Sequence, residues 1–317
     1  PQVASSCRSV SAEWHVVLAM PKKAPREKFK DGFEHLSTIG RGAFGVVSIV
    51  RCKEDNVRYV MKKISFSGKS TEDRDASQEE VALLKCLVHP NVVKYHSHGT
   101  DKRHLFIVME FCEGGDLAKA IEGQGDTPFE EEQILTWLMQ MLLALDYVHS
   151  MKILHRDLKT QNVFLNKFNV AKLGDFGIAK VLDGTLQQAD TVVGTPFYMS
   201  PEACQNQPYT YSSDMYVTVF FCLYVTADGT FVPRGVRVSC GVNRRWAIGC
   251  ILYEMCTRKH AFAASNLLGL VFQIVQGTYP PIEGYSDLMD SLVKGLLQTD
   301  PKVGCGCGQP QSNRNAS

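Results

Sequence analysis

The 317-residue chain holds eleven cysteines but no Cys-x-x-Cys pair, and Cys305 and Cys307 stand too close together for a zinc knuckle. This excludes a zinc ribbon and a disulfide framework, and reduced thiols in an intracellular, cytoplasmic protein are expected. No run of eighteen apolar residues occurs, so no membrane-spanning helix is expected. An excess of one charge is lacking too: 34 basic and 33 acidic residues leave a net +1. That balance gives no electrostatic case for nucleic acid or an anionic membrane as partner. The apolar patch from Trp14 to Met20 lacks the early basic region of a signal peptide. Residues 1–32 are expected to form a disordered leader, with the natural start at Met20, just ahead of Pro21, Lys22 and Lys23. At 44% hydrophobic and 21% charged, the composition is that of a globular protein of one large domain or two modest ones.

What the chain does hold is the run His155-Arg156-Asp157-Leu158-Lys159-Thr160-Gln161-Asn162, with Asp175-Phe176-Gly177 thirteen residues further on. A carboxylate, a lysine two residues later and a carboxamide three beyond it fit one loop that gathers a hydroxyl, a phosphate and a metal ion. Phosphoryl transfer needs that set: an orienting carboxylate, positive charge near the transferred group and hard oxygen ligands for Mg²⁺. Asp175 supplies a second carboxylate for the metal. An Asp/Asn-rich surface turn is the bland alternative, and the rest of the chain argues against it.

Phe33 to Ile39 alternates as a half-buried strand. Gly40, Gly42, Phe44, Gly45 and Val47 come next, and Ser48 to Arg51 resumes the strand. Strand, glycine loop and strand place backbone N–H groups over phosphates. A dinucleotide fold needs a helix opening at Gly45, which the β-branched Val46, Val47, Ile49 and Val50 oppose. On the next strand, Arg58 to Ile64, alternation turns Lys62 inward with Val60 and Ile64; Lys63 is its rival. A buried lysine needs a partner. Glu80 is chosen, with Glu79 as alternative, on a charged helix from Thr71 to Val88 whose apolar side carries Val81, Leu84, Cys86, Leu87 and Val88. Asn91 to Tyr95 and His104 to Met109 read as two strands leading to a glycine-bearing hinge. There, backbone groups of Glu110 and Cys112 are expected to hydrogen-bond an adenine, with Met109 at the back of the pocket. Glu130 to Ser150 is a long amphipathic helix with Ile134, Trp137, Leu138, Met141, Leu142, Leu145 and Val148 on its core face.

With these parts in place, the chain resembles the eukaryotic serine/threonine protein kinases, and among them the NIMA-related (Nek) family. The family-like stretches are Ile107 to Leu117, Lys172 to Lys180, Thr191 to Glu202 and Cys256 to Phe262. The likeness covers about Phe33 to Met215 and Trp246 to Pro301. It implies a two-lobed α+β fold: a sheet lobe over 33–109, a hinge over 110–114 and a helical lobe over 115–301. It further implies ATP and Mg²⁺ as cofactors and protein serine or threonine hydroxyls as acceptors. Asp157 then orients the acceptor, Lys159 neutralises the transferred phosphoryl, Asn162 and Asp175 hold magnesium, and Lys62, fixed by Glu80, holds the α- and β-phosphates. Val60 and Phe164 join the glycine loop and the hinge around the nucleotide. Arg156 and Lys180 are expected to receive a phosphate on Thr191, added by an upstream kinase or by the protein itself. Thr195 is the alternative phosphosite, though its family role is to contact the catalytic aspartate. Association with centrosome, cilium or microtubule is implied by the family alone.

Two departures stand against the family pattern. Residues 216–245 separate Met215 from Trp246, which in the family belong to one buried helix. This segment is β-prone without helical period, and is read as an insert of translated non-coding sequence. Gly304 stands where the family has an arginine that pairs with the buried glutamate at Glu202, and 302–317 is expected to be a disordered tail. The expected consequence is a chain that is aggregation-prone and inactive as it stands, with a structured small lobe and a poorly packed helical lobe, and with it comes the competing reading of a catalytically inactive kinase-like protein. A NAD-binding enzyme is the third reading, disfavoured by the strand after the glycines.

Overall fold

The computed structural model describes residues 29–42, 45–66, 81–82, 84–151, 153, 155, 157–175, 197–205, 218–225, 231–239 and 242–299. The chain divides into two compact units, residues 1–67 with 97–108, and residues 68–96 with 109–317. No helix among the described residues is long and apolar enough to cross a membrane.

The first unit is built on strands β1 (Phe33–Gly42), β2 (Gly45–Cys52), β3 (Arg58–Ser65), β4 (Tyr95–Thr100) and β5 (His104–Glu110), in the sheet order β1-β2-β3-β5-β4. Val50, Ile64, Leu105, Phe106, Ile107 and Val108 are buried, as alternation and apolar runs in inner strands require. β1 is a strand, yet it is not half-buried: Leu36 and Ile39 are 36% and 52% exposed. It lies at the sheet edge, and two register shifts against β2, at His35/Ser37 and Thr38/Gly40, break its two-residue alternation. The strand expected from Asn91 begins only at Tyr95. Asn91 to Val93, which belong to the second unit, bond instead to a strand of that same unit, through Asn91 Nδ2 to the Ala171 carbonyl at 3.0 Å and Val93 N–H to the Leu173 carbonyl at 2.8 Å.

In the second unit, residues 81–82 and 84–86 are helical, with Val81, Leu84 and Leu87 buried as expected. Val88 is not: it lies past the helix end and is 73% exposed. There the Tyr147 hydroxyl accepts from Val88 N–H at 2.9 Å and donates to the Cys86 carbonyl at 3.1 Å. A small sheet joins β6 (Gly115–Asp116), β7 (Val163–Leu165) and β8 (Ala171–Leu173). Helix α1 (Leu117–Gly123) starts at Asp116, whose carboxylate caps Lys119 N–H at 2.9 Å. Helix α2 (Glu131–Ser150) buries every one of the seven apolar residues its 3.6-residue spacing marks. The short α3 (Pro201–Cys204) comes next, and after it an antiparallel pair, β9 (Thr218–Val225) and β10 (Phe231–Ser239).

Helix α4 (Val242–Thr257) thus begins inside the segment read as free of helical pattern, four residues before Trp246. From Trp246 to Cys256 nearly every side chain is buried, Trp246 at 1% exposure and stacked on Phe262 with ring centroids 5.1 Å apart. The expectation of a poorly packed helical lobe is corrected on this point: the preceding strands do not leave the helix unpacked. Helices α5 (Leu267–Gln276) and α6 (Asp287–Leu296) are capped by Asn266 and Ser286, and Gly277 ends α5 in the left-handed conformation at φ 66°. Residues 302–317, including Gly304, and the Glu202 side chain lie outside the described residues.

Candidate active site

The loop after α2 is folded by its own polar groups. His155 is fully buried and its Nε2 lies 2.8 Å from the Gly174 carbonyl. A carbonyl only accepts, so Nε2 carries the ring proton. Asp157 N–H bonds the His155 carbonyl at 2.9 Å, and a 3₁₀ turn, Thr160–Asn162, brings Asn162 back toward Asp157. Asn162 Nδ2 donates to the Asp157 carbonyl at 2.6 Å and to its Oδ2 at 2.9 Å, and Lys159 Nζ lies 2.8 Å from that same Oδ2. One carboxylate oxygen thus gathers a carboxamide and an ammonium from the two positions the motif predicts.

Asp175 enters from the end of β8. Gly174 N–H donates to the Asn162 carbonyl at 3.0 Å, which ties the two metal-ligand candidates together through the backbone. A side chain at Gly174 has no room: its Cβ falls 2.9 Å from both the Phe164 ring and Val93 Cγ2. Asp175 itself has φ 53°, in the left-handed region that non-glycine residues seldom occupy. Such strain concentrates where the surroundings over-determine a residue for function. Because Asn162 commits its NH₂ to Asp157, Oδ1 is the atom it offers to a cation. With the Asp175 carboxylate it forms a pair of hard oxygen donors, which fits Mg²⁺.

In the sheet unit, Lys62 is half-buried on β3 opposite Val47 of β2, with Val60 two residues before it and Ile64 buried two after. Gly45 must be glycine: its φ is 135°, and a Cβ there falls 1.9 Å from the Lys63 carbonyl oxygen. Gly40, by contrast, has room for a methyl group, and Gly42 ends β1 opposite Gly45.

At the expected hinge, Met109 and Glu110 end β5, and Glu110 N–H is taken by the Lys94 carbonyl at 2.9 Å. Any backbone contact from Glu110 to a ligand therefore falls to its carbonyl. Burial, then the nearby Glu110 charge, pushes the Cys112 thiol up to about 12, so it is a neutral apolar group at physiological pH. Sequence reasoning missed the Glu110 side chain, which accepts from Lys172 Nζ at 2.9 Å and Lys94 N–H at 3.1 Å. It also missed Thr160, Tyr198, Glu254 and His260, which meet at the 3₁₀ turn of the Asp157 loop. The available signal was Glu254 itself, a lone carboxylate in the apolar run of α4. Phe44, Glu80, Arg156, Lys180, Thr191 and Thr195 lie outside the described residues.

Serine/threonine-protein kinase Nek1 of Mus musculus is 42% identical over 271 residues, covering 85% of this chain and 20% of its own length. Serine/threonine-protein kinase Nek5 of Homo sapiens is 41% identical over 274 residues, covering 86% and 34%. A probable serine/threonine-protein kinase nek3 of Dictyostelium discoideum is 39% identical over 279 residues, covering 86% and 22%. The chain therefore spans about a fifth to a third of the length of these curated relatives. The protein kinase domain pattern matches residues 33–233, and the chain belongs to the protein kinase domain family.

Proposed function

We propose that the chain transfers the γ-phosphate of ATP, with Mg²⁺, to serine or threonine hydroxyls of proteins, as a member of the Nek branch. The observation that carries this reading is the convergence of Lys159 and Asn162 on Asp157 Oδ2. Asp157 orients the acceptor hydroxyl and takes its proton as the oxygen bonds phosphorus and the β–γ bridging oxygen leaves with ADP. Lys159 moderates the Asp157 charge and that of the phosphoryl group. Asn162 and Asp175 hold magnesium, whose charge offsets that of the phosphates when it is bound. Lys62, paired with Glu80, steadies the α- and β-phosphates beneath the glycine loop of Gly40, Gly42, Phe44 and Gly45. Val47, Val60, Met109 and Phe164 pack around the base, while Glu110 and Cys112 present backbone groups to it. Lys159 between Asp157 and Asn162, and relatives named serine/threonine-protein kinases, support the acceptor class. Residues 216–245 are read as an insertion that leaves this site in place.

The full chain with Mg-ATP should label dephosphorylated casein, and chelation of magnesium should abolish the label. ATP binding without transfer would instead favour the inactive, scaffold-like reading.

Regulation falls to Thr191, phosphorylated in cis or by an upstream kinase and received by Arg156 and Lys180. Thr191→Ala should lower turnover at least about tenfold, and adding Arg156→Ala should cost little more, since phosphate and pocket act as a unit. Steady-state kinetics of the two single variants and the double variant check this; multiplicative losses would remove Thr191 as the switch.

A further inference from the structure

Outside the groups assigned to phosphoryl transfer, one buried polar cluster in the helical unit joins three separate stretches of chain. At its centre is Glu254 of α4, 7% exposed. Thr160 Oγ1 donates to its Oε1 at 3.1 Å, the Tyr198 hydroxyl donates to its Oε2, and His260 Nδ1 lies 3.3 Å from that Oε2. The Thr160 and Tyr198 oxygens are themselves 3.0 Å apart. Two hydroxyl protons serve three oxygen–oxygen contacts, so with both given to the carboxylate, Thr160 and Tyr198 are held together by Glu254. Burial, then the Glu254 charge, pushes the Tyr198 phenol far above its usual range and keeps it a donor.

A carboxylate this deeply buried depends on the polar groups around it, and the His260 imidazole, with Nδ1 3.3 Å from Oε2, is the third of them. Its ring stacks on Phe197 with centroids 3.9 Å apart and planes 19° apart, and meets Tyr198 edge-on at 6.0 Å. Arg258, on the same turn, points its guanidinium elsewhere, donating to the Gly125 carbonyl at 2.7 Å.

We propose that His260 is a positioning residue for phosphoryl transfer. Its Nδ1, in ion-pair range of Glu254 Oε2, sets that carboxylate and through it the Thr160 and Tyr198 hydroxyls. The segment Phe197–Ser200 is thereby registered on the catalytic loop at the residue next to Lys159, which sets the space left for a protein acceptor beside Asp157. This inference rests on the roles given to Asp157 and Lys159 above.

Two substitutions in the full chain separate the polar contact from the bulk. His260→Asn keeps a polar group near the Nδ1 position, whereas His260→Leu keeps volume and loses the polar contact. With Mg-ATP and dephosphorylated casein, His260→Leu should lower kcat/KM for casein about tenfold, with the KM for ATP unchanged within about twofold. His260→Asn should stay within about threefold of the wild type. Combined with Glu254→Gln, the leucine variant should lose little more, because the two residues act as one unit. Amide hydrogen exchange over residues 197–205 should accelerate in the leucine variant and not in the asparagine variant. That readout needs no turnover, so a wild type without transfer would count against the proposed function and leave this contact to be judged on its own. Wild-type kinetics and exchange in His260→Leu would overturn the inference, as would an asparagine variant as impaired as leucine. Failure of the leucine variant to fold would assign His260 to stability and overturn it equally.

Discussion

Asp157→Asn is expected to lower casein phosphorylation by about 10²–10⁴-fold, the usual worth of a positioned proton acceptor. The amide matches the carboxylate in shape, so the loop should keep its form: its oxygen can still accept from Asn162 Nδ2 and Lys159 Nζ, which lie 2.9 and 2.8 Å from Oδ2 in the native protein. What is lost is the negative charge that draws the acceptor's proton. Since that interaction belongs to the transition state, kcat should carry the loss and ATP affinity should change by no more than about twofold. Steady-state kinetics with ATP and casein varied separately, together with direct measurement of ATP binding, check both halves. Turnover within tenfold of the wild type would remove Asp157 from the chemistry.

The second large effect is on stability. Trp246→Ala should cost about 3–5 kcal/mol, as for other buried aromatics cut to alanine, out of the ~5–15 kcal/mol that usually stabilises a domain. Trp246 is 1% exposed and stacks on Phe262, which is itself fully buried and meets Tyr279 edge-on at 5.8 Å. Removing the indole opens a cavity in the core between α4 and the stretch of chain after it. The position is diagnostic because it is the first described buried residue after the strand pair β9–β10. A urea-unfolding free energy lowered by less than about 1 kcal/mol would show that α4 is loosely packed in solution, as the interrupted family pattern suggested.

The division between legible and hidden features is a physical one. Contiguous features were legible in the sequence. The His155 to Asn162 run encodes a loop whose groups bond one another within five residues, and α2 shows its buried stripe through helical spacing alone. Extrapolating a local pattern past its element failed at Val88, where the helix has ended and Tyr147 takes over the backbone groups. It failed again on β1, whose edge position and register shifts are properties of the sheet and leave no mark in the strand. The Thr160, Tyr198, Glu254 and His260 cluster was hidden for a related reason. Thr160 and Glu254 are 94 residues apart, so only the packed chain brings them together. The Glu110 carboxylate, 62 residues from its Lys172 partner, was missed in the same way.

The most direct test of the central claim is the identity of the atom that receives the phosphate. Dephosphorylated casein incubated with the full chain and γ-labelled Mg-ATP, then hydrolysed to amino acids, should yield labelled phosphoserine and phosphothreonine, both lost with Asp157→Asn. Label confined to phosphotyrosine, or released only as inorganic phosphate, would contradict it.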